Sequence, residues 1–176
     1  MKPSAQEIVH MLQGTPAVLE AMLAHLDDKL LCWQPQPADW CIKEVLGHLI
    51  ATDQLAFADR IWLIVEGNNP EIPAVPVNQI ASERNDVARP IGDLLAEFRV
   101  GRTAVLPQLA HLTPDQLAKT GTYPSYGTFH AYDFLYEWPY HDHSHLQQIS
   151  DILKAHVFPH MSQTMQQALG ADKLEA

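Results

Sequence analysis

The sequence is poor in cysteine and in long apolar runs. Its 176 residues include only two cysteines, Cys32 and Cys41. Their spacing matches neither a CxxC redox pair nor a four-ligand zinc site, so we predict reduced thiols without a catalytic role. No run approaches the roughly 18 apolar residues of a membrane span, and the first residues lack the apolar core of a signal peptide. We therefore predict a cytoplasmic protein that does not associate with a membrane.

Basic residues are also scarce. The chain has 11 lysines and arginines against 21 aspartates and glutamates, which gives a formal net charge of -10. A phosphate backbone would meet net repulsion, and no cluster of basic residues offsets it, so we expect no nucleic-acid partner. Phosphate-binding loops, dinucleotide fingerprints and serine-nucleophile motifs are likewise missing from the sequence.

The abundant feature is apolar residues with helical spacing. Hydrophobic residues make up 47% of the chain, and no stretch alternates with the period of a strand. We predict an all-α protein: a helical bundle forming one domain over residues 1–170, with a frayed tail at 171–176. The predicted helices cover residues 4–27, 42–67, 79–109 with an interruption at Pro90, 128–156 and 159–169.

Three proline-containing segments modify this scheme. Gly14-Thr15-Pro16 predicts a bend in the first helix, because proline is poorly tolerated inside a helix. The loop that begins at Gly67-Asn68-Asn69-Pro70 is long enough for a crossover between the ends of a bundle. Pro139 removes a backbone hydrogen bond just before a histidine pair, so the helix carrying that pair is expected to kink or to begin there.

The histidine pair is His141 and His145. At about 100° per residue these two imidazoles lie on one helix face, whereas His143 points away. The pair borders an apolar stripe and so faces the interior, where it could hold a metal ion together with a third ligand. His48 lies in the second predicted helix, on the same side as apolar residues, and is the natural third ligand.

Two segments carry a resemblance to a known family. They read Trp40-x-x-Lys43-Glu44-Val45-Leu46-x-His48-Leu49 and His141-Asp142-x-x-His145-Leu146-x-Gln148-Ile149. Together they resemble the DinB superfamily of DinB/YfiT-like proteins. The resemblance implies a four-helix bundle with a long crossover between helices 2 and 3, commonly dimeric. It also implies a divalent metal, zinc or nickel, bound by His48, His141 and His145. The chain departs from the family at Cys41, where serine or threonine is common.

The resemblance leaves three functions open. Three histidines leave at least one position of a divalent ion free, which is typical of a catalytic site. The first hypothesis is a thiol-dependent S-transferase that acts on small electrophilic substrates with a low-molecular-weight thiol such as bacillithiol or mycothiol. The second is a metal-dependent hydrolase that uses a metal-bound water. The third is a non-catalytic, stress-related dimeric bundle.

Other polar and aromatic residues each allow two structural interpretations. Gln148 is expected either to support a ligand histidine or to make an ordinary hydrogen bond inside the bundle. We interpret Asp53 and Asp142 as solvated carboxylates more readily than as partners of an imidazole. Trp40 and Trp138 are interpreted as core residues rather than as a platform for substrate.

Overall fold

The computed structural model describes residues 2–171 and is built almost entirely from helices. The predicted tail lies outside this range except for Ala171. The helices of the described part are α1 (Ala5–Leu23), α2 (Asp28–Leu31), α3 (Ile42–Thr52), α4 (Asp59–Glu66), α5 (Val77–Glu83), α6 (Ile91–Leu109), α7 (Pro114–Leu117), α8 (Ala131–Val157) and α9 (Gln163–Ala171). None of the helices in residues 2–171 has both the length and the apolar character to cross a membrane.

Four long helical segments form the bundle. They are α1, α6, α8, and the continuous rod in which α3 passes through a π-helical segment, Asp53–Ala58, into α4. Helix α1 packs on α6 and α8, and α3 packs on the same two helices from the other side. The chain between α4 and α6 is the predicted crossover, and it contains α5 and a short 3-10 turn, Asp86–Ala88. The predicted all-α four-helix bundle is therefore confirmed.

Pro16 and Pro139 both lie inside continuous helices, so the alternative that a helix begins at Pro139 is wrong. Helix α1 continues past Pro16 to Leu23, and α8 runs from Ala131 to Val157 without an interruption at Pro139. A proline inside a helix leaves the carbonyl four residues earlier without its N–H partner. For Pro16 that carbonyl belongs to Leu12, and the Arg102 guanidinium donates a hydrogen bond to it at 3.1 Å. The helix thus tolerates its proline because another helix supplies the missing donor.

A β-hairpin replaces part of the predicted link before α8. Strands β1 (Thr120–Tyr123) and β2 (Gly127–His130) pair antiparallel. Each has only four residues, too few for the period-2 pattern on which a strand prediction depends. Gly127 adopts a φ of 92°, which suits glycine at the turn. The helix predicted from residue 128 begins three residues later, at Ala131, and the His130 N–H donates to the Asp133 carboxylate at 2.7 Å.

The interior consists of two apolar cores with a polar layer between them. Core one holds the first half of α1, the rod from Ala56 onward, the second half of α6 and the first half of α8. Core two holds the remaining half of each of these segments. The polar layer is formed by buried residues at the midpoints of the four segments, namely Thr15, His48, Thr52, Asp53, Arg102 and Asp142.

Candidate metal centre

His48 is fixed by the local structure of α3. The helix begins after Cys41, whose backbone N–H donates to the Glu44 carboxylate at 2.8 Å. That contact caps the helix although the Cys41 side chain has no hydroxyl. From this start His48 lies two turns into the helix and points into the bundle, where it is 6% exposed.

His141 and His145 approach His48 from α8. The His48 Nε2 and His141 Nε2 atoms are 3.1 Å apart, and His145 Nε2 lies 3.2 Å from His141 Nε2. The potential ligand atoms of the three residues all lie within 4.8 Å of one another. The structure therefore brings together the three histidines that the sequence singled out. His143, predicted to face away, is exposed on the same helix.

The donor atoms have the chemistry and spacing that a metal ion requires. The Nδ1–H of His145 donates to Gln148 Oε1 at 2.7 Å, so its Nε2 presents a lone pair to the other two imidazoles. Nitrogens bound tetrahedrally to one zinc ion at about 2.0–2.1 Å lie about 3.3 Å apart. The observed separations of 3.1 and 3.2 Å are close to that value. The three histidines thus fit one divalent ion.

Burial keeps these imidazoles in the form that binds metal. It lowers the pKa of His48 to about 4, and it lowers that of His141 to about 3. The pKa of His145 is also lowered by burial, although the hydrogen bond to Gln148 and the charge of Asp142 oppose the shift. All three imidazoles are therefore neutral at pH 7, and metal binding does not have to displace a proton from them.

Aromatic rings hold the imidazoles in place. The Nδ1 atoms of His48 and His141 are buried and have no hydrogen-bond partner within the described residues. Trp40 instead packs on His48 with ring centroids 5.0 Å apart, and it stacks on His145 at 6.5 Å. Phe57 contacts His141 edge-on at 5.1 Å. Trp40 is thus a wall of the site and only half-buried, whereas Trp138 is fully buried, as predicted.

An open groove lies beside His145. It has a volume of about 480 Å³ and runs between the loop before α3 and the exposed side of α8. Two of its lining residues, Trp40 and Gln148, also contact His145. Asp39 and Asp151 add carboxylates to the wall, and no lysine or arginine is among the lining residues. The groove therefore offers a binding region with acidic and amide character next to the three histidines.

A buried ion cluster lies beneath the histidines. This core charge cluster consists of Arg102, Asp53 and Asp142. The Arg102 guanidinium donates to both oxygens of Asp53 at 2.7 and 2.8 Å. It also donates to both oxygens of Asp142 at 2.7 and 2.9 Å. The cluster joins the rod, α6 and α8 at the polar layer.

Neighbouring donors complete the cluster. Trp138 Nε1–H donates to Asp53 at 2.9 Å, and the Thr15 hydroxyl donates to Asp142 at 2.6 Å. Sequence reasoning missed this arrangement: Asp53 and Asp142 were interpreted as solvated, yet they are only 6% and 1% exposed. The available signal was a charged residue next to apolar positions on each of three helices, but nothing in the sequence shows that those helices meet.

A second charged group lies on the crossover. This crossover charge cluster consists of Arg84, Asp86, Arg89 and Glu97. Both arginines donate to the Asp86 carboxylate and to Glu97, at distances between 2.6 and 3.2 Å. Asp86 packs so closely on α3 that a Cβ atom at Gly47 would lie 2.0 Å from its Oδ2. This contact packs the crossover against α3 at the residue that precedes His48.

The fold and the site together define a class, namely four-helix bundle proteins with a three-histidine cluster of metal-binding form. The family model of the DinB superfamily matches residues 11–149, and the chain belongs to that superfamily. No curated protein matches the sequence significantly.

A solved structure shares the fold. YfiT from Bacillus subtilis is 18% identical, with a TM-score of 0.76 over 86% of this chain and 91% of the other. It is described as "a probable metal-dependent hydrolase with an unusual four-helix bundle topology". At this identity the likeness establishes a common fold.

Proposed function

We propose that this protein is a metal-dependent hydrolase of small molecules in which His48, His141 and His145 hold a divalent ion. The observation that carries the proposal is the convergence of three neutral imidazole nitrogens at separations of 3.1 and 3.2 Å. Three protein ligands leave a coordination position open, as in catalytic rather than structural zinc sites. The ion, zinc or nickel, supplies Lewis acidity and lowers the pKa of a bound water.

The protein side chains orient the site and receive the substrate. Gln148 fixes the ring of His145 through the hydrogen bond to its Nδ1–H, which keeps the Nε2 lone pair on the inner side. Trp40 and Phe57 restrict the rings of His48 and His141. The groove beside Trp40 is the region where a substrate would be held, and its carboxylates favour neutral or cationic molecules over anionic ones.

Two observations favour water as the nucleophile. The structural neighbour YfiT is described as a "probable metal-dependent hydrolase". In addition, Asp39 would repel an anionic thiol approaching through the groove, whereas the charge of Asp151 is offset by its ion pair with Lys154. The thiol-dependent S-transferase predicted from the family remains the second candidate. The absence of carboxylates from the ligand set supports it, because an ion with three neutral ligands keeps its full positive charge for a thiolate.

The test begins with metal content. Elemental analysis of the purified protein should find close to one divalent ion per chain. The His141→Ala variant should lose the ion but keep its helical circular dichroism, because apolar burial supplies most of the stability of a bundle. His143→Ala is the matched control, since His143 is exposed on the same helix and should leave the metal in place.

Activity then separates the candidates. Ester and amide substrates are assayed without thiol, and a chromogenic electrophile is assayed with a panel of small thiols, in each case before and after chelation. Chelator-sensitive hydrolysis supports the proposal, and chelator-sensitive conjugation supports the transferase. Metal-loaded protein that turns over neither panel would favour the non-catalytic bundle.

Homodimerisation and a cytoplasmic location remain predictions. Helix α1 carries Met11 and Val18 with exposed fractions of 48% and 43%, and such residues suit a protein interface. Light scattering at micromolar concentration should give twice the chain mass of 19.7 kDa, whereas a monomeric value would contradict the prediction.

A further inference from the structure

The core charge cluster is not electrically balanced. It contains two carboxylates and one guanidinium, so its formal charge is -1 when all three groups are ionised. Its side chains are almost completely buried, with exposed fractions of 1% for Arg102, 9% for Asp53 and 1% for Asp142. A buried charge without a partner raises the free energy of the folded state unless an opposite charge lies nearby.

The cluster lies within electrostatic reach of the three histidines. Phe57 spans the two groups of residues, because its ring stacks on Trp138 at 5.1 Å and contacts His141 at 5.1 Å. Trp138 in turn donates to Asp53. The cluster also shares α8 with two of the histidines, because Asp142 directly follows His141 in the chain.

We propose that the core charge cluster is the counter-charge of the metal centre, and that Asp53 is a positioning residue whose negative charge strengthens binding of a divalent cation. The proposal rests on the metal site of the proposed function. Imidazole binds a metal ion as a neutral ligand, so an ion between the three histidines would bring two positive charges into the polar layer. The surplus carboxylate is the buried group that offsets part of this charge.

Burial acts on both members of the Asp53–Arg102 pair. Burial raises the pKa of Asp53, and the pairing with Arg102 opposes but does not cancel that shift. Burial also acts against the charge of Arg102, but the two carboxylates outweigh it and raise the pKa of the guanidinium. Arg102 therefore stays charged, and a cation beside the cluster would favour the ionised form of Asp53 that burial disfavours.

A purely structural role makes a different prediction. If the cluster only ties the helices together, its loss would weaken the fold without a specific effect on metal affinity. The crossover charge cluster provides the comparison, because its two arginines and two carboxylates already balance. Its Asp86 is 3% exposed, so it is as buried as Asp53, but its partners are between 21% and 35% exposed and water screens a change of charge there.

The experiment compares three variants of the full chain. Zinc affinity is measured by competition with a chromophoric chelator, and thermal unfolding is recorded with and without zinc. Asp53→Asn should bind zinc about tenfold more weakly, at the lower end of the range for residues that support metal ligands. Thr15→Val removes one buried hydrogen bond to Asp142 without a change of charge. Asp86→Asn removes a buried carboxylate from the balanced cluster.

The outcomes distinguish the hypotheses. Thr15→Val and Asp86→Asn should lower the unfolding temperature but keep zinc affinity within about twofold of wild type, well below the loss typical of groups that support ligands. Wild-type affinity in Asp53→Asn would overturn the proposal, as would an equal loss in all three variants, which would point to loosened packing. A wild-type protein that binds no zinc would overturn both this proposal and the proposed function. Zinc binding without hydrolysis would count against the proposed function alone.

Discussion

The two charge clusters of this protein look alike as hydrogen-bonded groups but differ in charge balance and exposure. In the crossover charge cluster two arginines face two carboxylates, and Glu97 and Arg89 remain about one-third exposed. In the core charge cluster one buried arginine faces two buried carboxylates. The crossover charge cluster is thus electrically balanced and can hold the crossover on the bundle by itself, whereas the core charge cluster is balanced only with a further positive charge beside it. Hydrogen-bond counts alone would not separate these roles.

The largest loss of stability is expected when Arg102, the cation of the core charge cluster, is replaced. Arg102→Leu would leave Asp53 and Asp142 buried together without a positive partner. Removal of one partner from a buried ion pair typically costs about 3–5 kcal/mol, so this variant should be strongly destabilised or unfolded. Urea titration followed by circular dichroism measures the loss. A variant with near-wild-type stability would show that the two carboxylates are readily neutralised.

A smaller loss is expected where the crossover touches the bundle. Gly47→Ala places a methyl group where the Asp86 carboxylate lies, so the crossover must shift. Overpacking of this kind costs about 1–3 kcal/mol. Gly101→Ala in α6 is the matched control, because a Cβ atom there meets nothing within 4 Å. The control should gain about 0.5–1 kcal/mol, as is usual when alanine replaces glycine inside a helix. Equal effects of the two substitutions in urea titration would contradict the close contact.

Acid should destabilise the polar layer of the metal-free protein first. Burial lowers the pKa of His48 to about 4 and that of His141 to about 3 from a usual value of 6.5. The unfolded chain therefore binds more protons than the folded one below pH 6.5, and stability falls as the pH drops from about 6.5 toward 3. Thermal unfolding at several pH values measures this decline. It should be weaker in a His48→Gln variant, and an unchanged slope in that variant would contradict the assignment.

As the pH falls, the crossover charge cluster should lose its contribution to stability at a lower pH than the polar layer, and the loss should be smaller. The hydrogen bond from Arg84, with that from Arg89, outweighs burial and lowers the pKa of Glu97 below its usual 4.5. Its contribution is therefore complete above pH 4.5 and is lost as the pH falls through the lowered value. Because Glu97 is about one-third exposed, Glu97→Gln should cost no more than about 1 kcal/mol at pH 7. A larger loss in urea titration would mean that the crossover charge cluster contributes more to the free energy of unfolding than its solvent exposure suggests.

The parts that could be predicted from the sequence are those with a local period. His141 and His145 lie one helical turn apart, and the apolar stripe around them shows which way they face. The position of His48 could be predicted for the same reason, and the resemblance to a family linked the two segments. The β-hairpin could not be predicted, because its strands are too short to show a period.

The core charge cluster could not be predicted because its members are far apart in the chain. Arg102 is 49 residues from Asp53 and 40 residues from Asp142. Each of these residues, considered on its own helix, is an ordinary charged position. Only the packing of the rod, α6 and α8 shows that they meet, and their hydrogen bonds explain why burial is tolerated.

The π-helical segment Asp53–Ala58 lets the rod hold one more residue than an ordinary helix would between the same two faces. The N–H of Asp59 bonds to the carbonyl of Gln54, five residues earlier, so the segment accommodates one surplus residue. Upstream of it the rod carries His48, and downstream it carries the apolar face of α4. Deletion of one residue here would restore an unbroken α-helix and leave these two faces close to their present relation, because the wide turn already takes up the surplus residue. A deletion in the regular part of α3 or α4 would instead turn the two faces by about 100° relative to each other, so single-residue deletions should be tolerated better in the π-helical segment than in the helices beside it.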